Sequence, residues 1–261
     1  MSTVLAVKDL SITFGSFKAV DRVSLSVDRH QIVSVIGPNG AGKTTFFNVL
    51  SGAYKPTSGQ VKLGGEDVTR MPPHRLARLG LSRTFQNLQI FFRMSALENV
   101  MVGNYVHERT SLLAQFLQLP SVRRENHEAC ARAEEQLEFV GLLSKRDHVA
   151  GGLSYGALKR LEIARALASR PKVLLLDEPA AGCNAVETAE LDEIIIKIAK
   201  SGVSVLLVEH DMKLVMKISD EILVLDRGRV LAHGSPSVVR QDPNVIQAYL
   251  GAELKAEAER A

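Results

Sequence analysis

The chain has 261 residues, 46% of them hydrophobic and 23% charged, ordinary values for one large globular domain or two intimate subdomains. Its 32 Lys and Arg against 29 Asp and Glu leave a net charge of +3, which excludes an acidic disordered chain and, with the basic residues scattered, gives little support to nucleic-acid binding. Two distant cysteines, Cys130 and Cys183, speak against a secreted disulfide framework and a zinc module.

In chain order, the amino terminus MSTVLAVKDLSITFG lacks the charged start and apolar run of a signal peptide. Val4–Leu10 has strand character, and Ser24, Leu25, Ser26 and Val27 alternate polar with apolar. Ile32–Ile36 is a short apolar run ending at Gly37, as a buried parallel strand would. A glycine-rich turn leads into TTFFNVLSG, a helix closing near Gly52. Turn residues at 55–59 and 64–65 flank Gln60–Leu63 and Asp67–Val68, which fit short antiparallel strands.

From about Asn87 to Leu153 the pattern becomes helical. Ser111–Leu119 is an amphipathic segment stopped by Pro120, and Ala129, Ala133, Leu137 and Val140 recur at helical spacing. Beyond it, Tyr155–Ser169 reads as a helix, Val173–Leu176 as a strand, Glu187–Lys200 as a helix and Val203–Val208 as a strand. Met212–Ile218 reads as a helix and Glu221–Leu225 as a strand. This alternation predicts an α/β fold with a parallel sheet, interrupted by a helical insertion. No apolar run approaches the roughly 18 residues of a membrane span, so a soluble, intracellular chain is expected, free to dock on a membrane protein. The last ten residues, AELKAEAERA, read as a frayed or disordered polar tail.

The strongest signal is Gly37-Pro38-Asn39-Gly40-Ala41-Gly42-Lys43-Thr44-Thr45, which matches G-x-x-x-x-G-K-[ST] between a predicted strand and a predicted helix. Glycines let backbone N–H groups converge on phosphate oxygens, and the helix directs its positive end at the same anion. Lys43 is expected to reach the β- and γ-phosphates, and the Thr44 hydroxyl to bind Mg²⁺. A second signal is Leu174-Leu175-Leu176-Asp177-Glu178, two acids at the end of an apolar strand, where open α/β sheets bind ligands. Asp177 suits Mg²⁺, and Glu178 is placed to orient or deprotonate an attacking water.

Between these motifs lies Leu153-Ser154-Tyr155-Gly156-Ala157, similar to the LSGGQ pattern of ATP-binding subunits of ABC transporters. Gln86 in TFQN resembles that family's glutamine loop, His210 in Glu209-His210-Asp211 its switch histidine, and Phe14 its adenine-stacking aromatic. The finer resemblance is to branched-chain amino acid importers of the Liv type, and to the G-like of their two ATPases. It rests on TFQNLQIFFRMSALENVMVG, LSYGALKRLEIARALASRPKVLLLDEPAAGCN, VLLVEHDMKLVMKISDEILVLDRGRV and NVIQAYLG. The long insertion after Gly103 also fits the G-like subunit. A related ATPase of lipopolysaccharide export shares some of these features and is the alternative reading.

The resemblance implies a phosphate-loop, RecA-like core with an N-terminal antiparallel β subdomain. A helical subdomain, about 87–155, is inserted in a single ATPase domain over 1–252, with 253–261 as the tail. It implies ATP and Mg²⁺ as cofactors and Lys43, Gln86, Glu178 and His210 as catalytic residues. Phe14, the loop from Gly37 to Thr45, Ser154 and Gly156 would contact nucleotide, and Thr44, Gln86 and Asp177 the metal. Two subunits would sandwich two ATP molecules, each between one phosphate loop and the opposite Ser154 and Gly156. The implied partners are a second, identical or non-identical ATPase, two membrane permease subunits and, indirectly, a periplasmic binding protein, with no nucleic acid. The implied location is the cytoplasmic face of the inner membrane.

Single residues also have plainer readings. Gln86 can be a polar loop residue, His210 a strand-end histidine, and Phe14 a core phenylalanine. Ala157 stands where glutamine is usual, and Asn184 where many relatives carry aspartate. A soluble ABC protein acting on nucleic acid or ribosomes, and an inactive nucleotide-binding module, are the competing functions. A single cassette with a short insertion argues against the first; Lys43, Asp177, Glu178 and His210 argue against the second.

Overall fold

The computed structural model describes residues 3–107 and 120–249. The elements begin with β1 (Thr3–Phe14), β2 (Phe17–Asp28), β3 (Ile32–Ile36), α1 (Lys43–Leu50), β4 (Ser58–Leu63) and β5 (Glu66–Asp67). They continue with α2 (Pro73–Leu79), β6 (Leu81–Arg83), α3 (Ala96–Gly103), α4 (Pro120–Phe139), α5 (Tyr155–Ala168) and β7 (Val173–Asp177). The last are α6 (Ala185–Lys200), β8 (Ser204–Val208), α7 (Met212–Ile218), β9 (Glu221–Asp226), β10 (Arg229–Gly234) and α8 (Pro236–Gln241). The segment expected over Ser111–Leu119 and the polar tail lie outside the described residues. Among the described residues, no helix is long and apolar enough to cross a membrane.

An antiparallel sheet runs in the order β2-β1-β4-β5, and a six-stranded sheet in the order β10-β9-β3-β8-β7-β6. In the larger sheet every pairing is parallel except that of β10 with β9. Strands β1 and β2 are longer than expected, because Asp9 and Arg22 take φ of 49° and 52°. The β1–β2 register shifts between Val7 and Leu10, and such a bulge breaks the alternation by which a strand is recognised. Helices α2 and α8 and strands β6 and β10 were not expected either. The three residues of β6 are too few for a periodic signal, and β10 is an edge strand of exposed and half-buried residues.

The larger sheet is covered on both faces, which is why its central strands read as continuous apolar runs. Side chains alternate between two cores. Val173, Leu175, Leu206 and Val208 face a core filled by Phe46, Phe47 and Leu50 of α1 and by the inner face of the antiparallel sheet. Leu174, Leu176, Val205 and Leu207 face the other core, built on α3, α4, α5 and α6. Phe46 is fully buried. Phe46→Ala is expected to cost about 3–5 kcal/mol, read as a lower denaturant midpoint at unchanged slope; a near-parental midpoint would mean that the helix repacks.

Within the larger sheet β3, β8, β7 and β6 are consecutive and parallel. Their carboxyl ends therefore share one edge, which carries the loops after Ile36, Val208, Asp177 and Arg83.

Candidate functional site

Strand β3 ends against the phosphate loop. A Cβ on Gly37, where φ is 149°, would sit 2.0 Å from the Leu225 carbonyl oxygen. On Gly42, at φ 100°, it would sit 2.5 Å from that of Ala19. These two glycines let the loop pass between β9 and β2. Helix α1 starts at Lys43 with no side-chain cap from Gly42, and its first internal acceptor is the Gly42 carbonyl, bonded by Phe46 N at 2.8 Å. The N–H groups of Lys43, Thr44 and Thr45 thus find no backbone acceptor among the described residues, as expected of a helix N-terminus, a natural anion site.

Lys43 is buried and folds back over the loop, its Nζ donating to the carbonyls of Gly37 at 2.7 Å and Pro38 at 3.1 Å. Burial lowers its pKa below the usual lysine range, and the charges of Glu178 and Asp177 pull it back up. Thr44 is exposed, and no bond engages its hydroxyl among the described residues.

The neighbouring loops converge on Glu178. Its backbone is left-handed, with φ of 49°, a conformation that is costly for a residue with a Cβ; its N–H is held by the Val208 carbonyl at 2.9 Å. Gln86 Nε2 donates to Glu178 Oε2 at 3.1 Å, and His210 Nδ1 lies 4.0 Å from the same oxygen. Gln86, Glu178 and His210, far apart in the chain, thus meet at one carboxylate. Asp177 is buried beside them, and its Oδ2 accepts from Arg83 Nη2 at 2.8 Å.

Sequence reasoning assigned no role to three charged neighbours. Arg83 ends β6, three residues before Gln86. Lys159 of α5 is buried and donates to the carbonyls of Gln86 at 3.4 Å and Glu178 at 3.5 Å. Glu209 is buried and accepts from the N–H groups of Ala180 and His210, both at 3.1 Å; burial pushes its carboxyl above the usual range. Charge within short segments destined for burial was the available signal.

Among the described residues, no hydrogen bond or ring contact joins Phe14, Ser154 or Gly156 to this chain's own phosphate loop. Phe14 is 47% exposed, which overturns the core reading; its ring meets Tyr54 edge-on at 5.5 Å. Ser154 is the N-cap of α5, its Oγ accepting from Ala157 N at 3.3 Å. Gly156 N donates to Glu187 Oε1 at 3.1 Å, and a Cβ there would lie 2.5 Å from Glu187 Cδ. Asn184 caps α6, accepting from Val186 N and Glu187 N at 3.0 Å each, while Glu187 returns to Asn184 N at 3.2 Å. This reciprocal box starts α6 two residues earlier than expected. It needs only an oxygen acceptor, so asparagine serves as well as aspartate.

A family model described as ABC transporter matches residues 20–181, and one described as branched-chain amino acid ATP-binding cassette transporter matches residues 229–255. The chain is 49% identical to the high-affinity branched-chain amino acid transport ATP-binding protein BraF of Pseudomonas aeruginosa, over 95% of this chain and 98% of BraF. It is 47% identical to the high-affinity branched-chain amino acid transport ATP-binding protein LivG of Escherichia coli, over 95% of this chain and 98% of LivG. Among solved structures, the ADP conformation of MJ1267, an ATP-binding cassette of an ABC transporter, superposes with a TM-score of 0.84 at 32% identity, covering 96% of this chain and 100% of that one. The first model spans more than half of the chain and the relatives nearly all of it, so the chain belongs to the ABC transporter family, as an ATP-binding subunit that hydrolyses ATP.

Proposed function

We propose that this subunit energises the import of branched-chain amino acids, working on the cytoplasmic face of the cell membrane with a second ATPase subunit and two permease subunits. A periplasmic binding protein would deliver the amino acid, which this chain need not touch. The observation that carries the ATPase half of this reading is the meeting of Gln86, Glu178 and His210 at one oxygen beside the phosphate loop. The transport half is carried by the match of residues 229–255 to the branched-chain model and by the two relatives. In this reading residues 1–252 act as one ATPase domain, and the helical region of about 87–155 meets the permeases.

The residues play distinct parts. Lys43 and the free N–H groups at the start of α1 hold the β- and γ-phosphates of the substrate ATP. Phe14, exposed near the loop-contacting strand β2, stacks on adenine. Thr44, Asp177 and Gln86 are the residues that would hold Mg²⁺ through oxygen, with Asp177 as the carboxylate such a hard cation takes alongside substrate phosphates. Mg²⁺ would supply charge neutralisation on the phosphates. Glu178 orients the attacking water and accepts its proton. His210 bonds the γ-phosphate, so cleavage of that group is felt where β8 ends. Ser154 and Gly156 serve the opposite subunit's nucleotide; Gly156 N–H must then exchange or share its bond with Glu187.

His210→Ala is expected to slow hydrolysis while leaving ADP affinity near parental, because ADP lacks the γ-phosphate. A comparable loss of ADP binding would make His210 a structural residue. The transport reading is tested by uptake of labelled leucine, isoleucine and valine in cells lacking this chain, with and without the gene restored. Restored uptake supports it. Unchanged uptake overturns it, and loss of outer-membrane lipopolysaccharide in the same cells would point to the export system instead.

A further inference from the structure

Arg83 has no part in the roles above, yet its side chain joins three of the site's supports. It is 6% exposed. Nη1 donates to Asn48 Oδ1 at 2.7 Å and Ser51 Oγ at 2.9 Å, and Nη2 donates to Asp177 Oδ2 at 2.8 Å. The guanidinium carbon lies 5.8 Å from the Phe47 ring centre and 5.1 Å from that of Phe85. One planar cation is thereby held near two aromatic rings and hydrogen-bonded through both terminal nitrogens of its fork.

The partners decide what this fixes. Asn48 lies on α1, the helix that begins with Lys43 and Thr44, and Ser51 is that helix's C-cap. Asp177 ends β7, and Arg83 itself ends β6, the strand that leads to Gln86. The separation of Thr44, Asp177 and Gln86 is therefore set partly through a single side chain. Only Oδ2 of Asp177 is engaged; no hydrogen bond reaches Oδ1 among the described residues. A lone buried carboxylate would be costly to keep charged, and Arg83 supplies the counter-charge while leaving one oxygen free.

We propose that Arg83 is a positioning residue: it locks the Asp177 carboxylate to α1 so that Oδ1 is the oxygen presented to the divalent cation that accompanies the nucleotide. This rests on the reading of Asp177 as a metal residue. Groups that orient a metal ligand without touching the metal typically tune affinity by about 10–100-fold. Lysine cannot replace the fork, because a point ammonium on a flexible stem cannot hold Asp177 and the two α1 oxygens in one plane.

The test uses the full chain saturated with ADP, titrated with Mn²⁺ while free Mn²⁺ is followed by electron paramagnetic resonance. ADP affinity in EDTA and the thermal midpoint are measured alongside. Arg83→Lys is expected to weaken Mn²⁺ binding about 10-fold or more, with metal-free ADP affinity unchanged. Asn48→Ala leaves the ion pair in place, so it keeps the fold; it is expected to weaken Mn²⁺ in the same direction by less. Asp177→Asn is the reference. If it loses Mn²⁺ while Arg83→Lys and Asn48→Ala lower only the thermal midpoint, Arg83 is merely structural and the proposal is overturned, with Asp177 keeping its role. If the two variants weaken metal-free ADP equally, Arg83 supports the phosphate loop instead, and the proposal again fails. If Asp177→Asn itself keeps parental Mn²⁺ affinity, the metal reading of Asp177 falls and the proposal with it.

Discussion

Glu178→Gln is expected to keep ATP binding and to lose ATP hydrolysis by about 10²–10⁴-fold, the usual contribution of a positioned general base. The amide is the same shape as the carboxylate and still accepts from Gln86, whose Nε2 lies 3.1 Å from Glu178 Oε2. What it lacks is the basic oxygen. The left-handed backbone at Glu178, with φ of 49°, supports this reading, since strain of this kind is kept where the surroundings over-determine a side chain's place. Single-turnover hydrolysis and binding of labelled ATP, measured on one preparation, separate the two effects. In the proposed sandwich the variant also accumulates as an ATP-bound dimer, visible by sedimentation. Parental turnover would remove Glu178 from the chemistry.

Lys43→Ala is expected to act on the other half of the split, weakening ATP binding itself. A hydrogen bond to a charged group is worth about 1.5–3 kcal/mol, which translates into roughly 10- to 150-fold in affinity at 1.36 kcal/mol per factor of ten. In the structure Nζ rests on the Gly37 and Pro38 carbonyls, so the lysine braces the loop. Removing it also frees those carbonyls, and the thermal midpoint is expected to move far less than the affinity. Equilibrium binding of ATP and of ADP, with melting curves beside them, decides the case. Near-parental affinity for both nucleotides would mean that the backbone N–H groups at the start of α1 carry the phosphates without Lys43.

The two variants separate because the loops after β3 and β7 reach the same edge from opposite sides of β8. Lys159 adds a link between them and the helix that carries Ser154, since it donates to the carbonyls of both Gln86 and Glu178. A rotation of α5 would thus be transmitted to the loops that hold Gln86 and Glu178.

The phosphate loop was legible from the sequence because its geometry is local. Glycines at 37, 40 and 42, followed at once by a helix start, dictate a backbone turn and a ring of free N–H groups within nine residues. The buried strands were legible too: Ile32–Ile36 and Val173–Asp177 are apolar throughout, as strands covered on both faces must be. Gln86 and His210 were named on resemblance, and Glu178 from its place at the end of an apolar strand; only the sheet order β3-β8-β7-β6 brings the three to one oxygen. Pairing between strands separated by 90 residues leaves no trace in local periodicity. Arg83 was invisible for the same reason. Its neighbours in the chain say nothing of Asn48, Ser51 or Asp177, and a buried charge acquires meaning only from the partners that the tertiary fold sets around it.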